Sequence, residues 1–143
     1  MAKSDYLENG LVDHLYRTAS LAKPTTVYVA LFTAAPSDAG GGTEVAGGAY
    51  ARVAVGPSDT AWNATQGGTT GASSGTGGLT ANAADVVFPA PTANWGTIVA
   101  FATFDALTGG NMLHHGALTT NKTVNNGDPA PKFLAGQLSI TEG

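Results

Sequence analysis

The chain predicts a mainly β fold: an antiparallel two-sheet sandwich of jelly-roll type with one helix at its N-terminus. Three observations carry this. Short β-branched and aromatic runs recur from residue 25 onward, and glycine, proline or asparagine turn signals separate them. Only one stretch, near residue 5, carries helical periodicity. The whole chain has 143 residues, the length of a single domain, 1–143, with enough surface to bury for a core without staples.

Residues 5–20 read as the helix. Asp5 with Glu8 three residues on resembles a capping box. Leu7, Leu11, Leu15 and Ala19 recur every four residues, with Val12 and Tyr16 widening the stripe. Asn9-Gly10 weakens this pattern, and Lys23-Pro24 ends it, because the residue before proline disfavours helical backbone. The stripe is expected to pack on the chain's own sheet, the alternative being a neighbouring subunit.

Strands follow. Thr25–Thr33 places apolar residues on both faces, as in a central strand covered on each side. Thr43–Val45 and Tyr50–Val55 read as short strands around Gly47-Gly48, with Glu44 and Arg52 placed to pair. Residues 56–82 hold seven of the 20 glycines among Thr, Ser, Asn and Ala, and predict a long loop or arm. Trp62 lies alone in it and needs a surface for its ring, the chain's own body or a partner. Beyond it, Ala84–Phe88, Thr97–Asp105, Met112–Leu118, Lys122–Val124 and Phe133–Ile140 read as strands. The turn at Thr108–Asn111 marks the clearest hairpin.

Composition narrows the function classes. No cysteine means no disulfide framework, thiolate zinc site or thiol nucleophile. A net charge of −4 argues against nucleic-acid binding, which needs a basic face. The longest apolar run, Val27–Phe32, is far shorter than the roughly 20 residues a membrane helix needs. The polar start Met1–Asp5 predicts no secretory signal. Charged residues make up 11%, against roughly 25% in an average soluble domain. So little charge points to a surface shared with neighbouring subunits.

Catalytic patterns fail on context. Gly71-Ala72-Ser73-Ser74-Gly75 has the form of a nucleophile elbow but lacks the strand before it and the helix after it. His114 and His115 are adjacent on a strand and point to opposite faces, so a metal site would need Asp105 or His14 as well. The acids stand singly at turns. The expectation is no enzyme, no cofactor and no metal. Tyr50, Arg52, Trp62 and Trp95 are the candidate interaction residues, aromatics and arginine being the types enriched at protein contacts.

Several phrases together resemble a family of small tailed-bacteriophage virion structural proteins, gp80-like proteins often labelled tail fibre. They are Tyr6–Asn9 with Leu15, Thr26–Ala34, Gly42–Val45 running to Gly48–Arg52, Phe88–Ala90, Trp95–Thr97, Phe104-Asp105, Gly109–Asn111 and Gly116–Leu118. The resemblance covers nearly the whole chain except the 56–82 arm. It implies a virion structural role. The leading expectation is a capsid cement or decoration protein on the outer head surface, made in the host cytoplasm. Its partners would be the major capsid protein and its own copies, with a trimer the favoured oligomer. A tail fibre, spike base or adaptor is the alternative. A glycan-binding module that stacks sugars on Trp62, Tyr50 or Trp95 is the third.

Overall fold

The structure, a computed structural model, describes residues 1–142. These residues contain ten strands and one helix. The strands are β1 (Ala2–Lys3), β2 (Tyr28–Ala34), β3 (Thr43–Glu44), β4 (Val53–Ala54), β5 (Leu79–Ala81), β6 (Val86–Val87), β7 (Gly96–Phe104), β8 (Met112–Val124), β9 (Lys132–Phe133) and β10 (Ser139–Thr141). Helix α1 spans Asp5–Tyr16. Every strand pairing is antiparallel.

The main sheet runs β1-β8-β7-β2-β3, with β4 also pairing to β2. Its spine is the predicted β7–β8 hairpin, joined to β2 over Tyr28–Phe32. The two-sided burial expected of β2 holds. Val29 and Leu31 belong to one core cluster, Ala30 and Phe32 to another, and all four are buried. Opposite the first face lie two short ribbons, β5–β10 and β6–β9, whose Val86, Phe88, Leu138 and Ile140 complete the larger core. The second layer is thus two ribbons, not one broad sheet, and the sheets do not close on each other. Gly136 breaks the expected strand 133–140. Its left-handed backbone (φ 82°) turns the chain between β9 and β10, and Gln137 Oε1 accepts the Leu134 amide within that turn. Lys122–Val124, in contrast, is the end of the 13-residue β8.

Helix α1 departs from expectation at both ends. Ser4 caps it, its hydroxyl accepting from the Leu7 amide at 3.2 Å and donating to the Met112 carbonyl, so no Asp5–Glu8 box forms. The helix stops at Tyr16 instead of residue 20, because Arg17 is extended and the chain folds back to bring Leu21 against Gly10. A Cβ on Gly10 would stand 2.7 Å from Leu21 Cδ1, so the glycine that weakens the helix also admits its cover. Leu7 is the one residue of α1 that is buried, while Val12, Leu15 and Tyr16 face outward. The apolar stripe is therefore covered fully at Leu7 and in part at Leu11, and elsewhere faces outward.

The 56–82 segment divides. Residues 66–78 are exposed, tied together by Gln66, which donates to the Ala72 carbonyl and accepts from the Ser74 amide. Residues 79–82 are not loop at all. They form β5 and end in Asn82, fully buried, whose side chain binds Ala84, Leu134 and Leu138 backbone groups at 2.8–3.0 Å.

Candidate interaction surface

The strongest polar cluster forms where β3 and β4 part along β2. The register pairs β4 with Tyr28 and Val29 and β3 with Phe32 and Ala34. Between them the Leu31 amide has no strand partner, and the Tyr50 hydroxyl accepts it at 3.0 Å. That hydroxyl donates in turn to Glu44 Oε1 at 2.9 Å. Burial, foremost, pushes the Tyr50 phenol well above its ordinary 10, so it stays protonated and keeps its donor.

Glu44 and Arg52 pair as the sequence predicts. Arg52 Nε and Nη2 reach Glu44 Oε1 and Oε2, each at 2.8 Å, a two-pronged ion pair. Nη1 donates to the carbonyls of Ala106 and Gly109 at 2.8 and 2.9 Å, and the guanidinium lies 3.7 Å over the Phe104 ring. One side chain thus fastens the β7–β8 turn to the sheet edge. Asp105 organises the same turn from within, accepting from the Asn111 amide and side chain at 2.7 and 2.8 Å.

The four candidate residues fall in two places. Tyr50, Arg52 and Trp95 share one region, with Tyr50 edge-on to Trp95 at 5.4 Å between centroids. Trp95 is buried and donates to the Gly48 carbonyl at 2.8 Å, holding the Gly47–Ala49 turn. Trp62 lies apart, half-buried against the larger core on the chain's own body, its Nε1 donating to Val55 at 2.9 Å. The rim beside Arg52 is a shallow pocket between Tyr50, Arg52 and the exposed Leu107.

The histidines take separate partners. His115 lies 2.8 Å from Asp38, and His114 lies 2.5 Å from Glu142, whose other oxygen is 3.6 Å from Lys3. Burial holds His114 below its ordinary 6.5, with the Glu142 charge opposing this in part. Among the described residues no group of three or more acids and histidines is placed to hold a metal. Sequence reasoning missed Ser4, Asn82 and Glu142 as joints. A serine just before an amphipathic run was the one readable signal.

A family model described as podophage GP4 fiber I protein gp80 matches residues 2–141. The chain belongs to this family. It is therefore kin to phage fibre-type structural proteins, in agreement with the resemblance read from Tyr6–Leu118 and extending it across the 56–82 segment. No curated protein matches the chain. Among the described residues no helix is long and apolar enough to cross a membrane.

Proposed function

We propose that the chain is a non-enzymatic structural subunit of a phage tail fibre or its attachment, built from several copies around an axis. The observation that carries this reading is the family match, which spans residues 2–141 and names a fibre protein. It favours the tail-associated alternative over the capsid cement role that composition and resemblance put first.

The geometry supports a load-bearing subunit. The Arg52 guanidinium bridges the turn of the β7–β8 hairpin to β3 at the sheet edge, with two hydrogen bonds to the Ala106 and Gly109 carbonyls and two to Glu44. The outward apolar residues of α1, Val12, Leu15 and Tyr16, give copies of the chain a surface to pack by. A closed ring about an axis, a trimer in the first instance, satisfies such surfaces without leaving an open end. On this reading the ribbons serve as a reduced second sheet of a sandwich, and function is mechanical rather than chemical.

Cryo-EM of intact virions tests the assignment. Density for this chain on the tail, with a band far weaker than that of the major capsid protein on a gel of purified particles, is the expected result. Density distributed over the head lattice, with a band comparable to that of the capsid protein, would replace this reading with the cement role.

A further inference from the structure

We propose that the cleft beside the outer edge of β8 takes up an extended, acidic segment of a neighbouring virion protein, added to the main sheet as a further strand. The inference rests on the virion structural role above and names the kind of partner that role requires.

Three observations meet at this place. The first is an open edge. Strand β1 pairs with β8 only at His114 and His115, while β8 continues to Val124. From Ala117 to Thr123 no strand lies on that side among the described residues. The inner side is also incomplete. The β7–β8 register passes from Ile98↔Lys122 to Ala100↔Ala117, so Leu118–Asn121 have no partner on β7. On the outer side, the N–H and C=O groups of Ala117–Thr123 that point away from β7 form a template for a strand from elsewhere.

The second is a cleft of about 550 Å³ that runs along the same edge, between the main sheet and the ribbon β6–β9. Phe88, Phe101, Phe133 and Leu118 give it apolar walls. At Gly116 the wall has no side chain, and a Cβ there would meet the Phe101 ring at 3.2 Å. A strand laid on β8 sends alternate side chains to one face of the sheet, where this cleft stands ready for apolar ones.

The third is charge. In a chain of net charge −4, the charged residues lining the cleft are Lys122 and Lys132, both positive. Lys122 has no ion pair among the described residues, and Lys132 reaches Asp85 only at 3.7 Å across half-exposed surface. An incoming segment with apolar residues at alternate positions and carboxylates at its ends complements both features. A second copy of β8 would instead bring its own Lys122 to the edge.

Hydrogen exchange separates the possibilities. The amides of residues 118–121 should exchange freely in the isolated protein and at least about tenfold more slowly in the intact particle. Lys122→Glu and Thr120→Pro should each reduce the copies incorporated into particles, with the thermal midpoint of isolated Lys122→Glu unchanged. If the wild-type chain is absent from particles, the structural role itself fails. If it is present and residues 118–121 exchange as in free protein, or if Lys122→Glu incorporates normally, the strand-addition proposal is overturned. Protection that grows with concentration in the isolated protein, together with a doubled mass, would make the occupant a second copy and overturn the acidic partner.

Discussion

Arg52 shows how one residue ties distant parts of the sequence. Its guanidinium spends four N–H donations on Glu44, Ala106 and Gly109, and its side chain is 6% exposed. Removing it would leave the Glu44 carboxylate half-buried with only Tyr50 as donor. Arg52→Ala should cost on the order of 3 kcal/mol in urea unfolding, and Arg52→Lys should restore little, since a point charge cannot reproduce the fork. His114 gives the pH dependence. Its folded pKa lies below the ordinary 6.5 because burial disfavours the cation, so the unfolded chain binds the proton first on acidification. Stability should therefore fall as pH drops through about 6.5 and toward the lower folded value, by at most about 1.4 kcal/mol per pH unit from this group. His114→Gln should flatten the stability profile in that window, which thermal melts between the two values would read.

At the scale of elements, α1 and the ribbons show where periodicity informs and where it misleads. The 3.6-residue stripe correctly marked a helix, but amphipathicity alone cannot say which apolar residues a sheet will cover. Here Leu7 alone is fully buried and Leu11 half-buried, while Leu21 folds back to cover the region of Gly10. Leu7→Ala should cost roughly 2–3 kcal/mol, whereas Leu15→Ala, two-thirds exposed, should stay within about 0.5 kcal/mol. Denaturant titration of the two variants side by side checks this. If Leu15→Ala also lowers assembly in particles, the outward face of α1 is part of the contact between subunits. The expected strand 133–140 is broken for a related reason: its apolar residues promise continuity, while Gly136 in the left-handed region enforces a turn.

The whole molecule is a stiff sheet carrying a long glycine-rich excursion. Residues 66–78 touch little beyond themselves, yet both ends are anchored, by Trp62 on Val55 and by Asn82 among three backbone groups. Replacing residues 67–77 with a four-residue turn should leave stability nearly unchanged, because loop closure costs only about 0.6 kcal/mol per doubling of length. Asn82→Ala should instead destabilise by several kcal/mol, since it strands buried backbone partners. Calorimetry of both variants distinguishes a dispensable tip from its indispensable base.

The spare charge of the chain has a structural counterpart. Of the six lysines and arginines, Arg52 is consumed inside the fold and Lys3 is drawn to Glu142, while Lys122 stands at an open edge. Composition alone points to surfaces shared with neighbours; the fold leaves exposed apolar residues on the outward side of α1 and an unpaired stretch on the edge of β8, the two places proposed for such contacts. By itself the sequence determined the β class, the helix, the β7–β8 hairpin, the Glu44–Arg52 pair and the kinship with phage virion proteins. Each is written in local alternation, in turn residues or in phrases of contiguous chain. Only tertiary structure decided which part of the 56–82 segment joins a ribbon, that the second layer is two ribbons, that Ser4, Asn82 and Glu142 are joints, and which edge stays open. Those outcomes depend on residues far apart in sequence meeting across the sheet, and local propensity carries no record of such meetings.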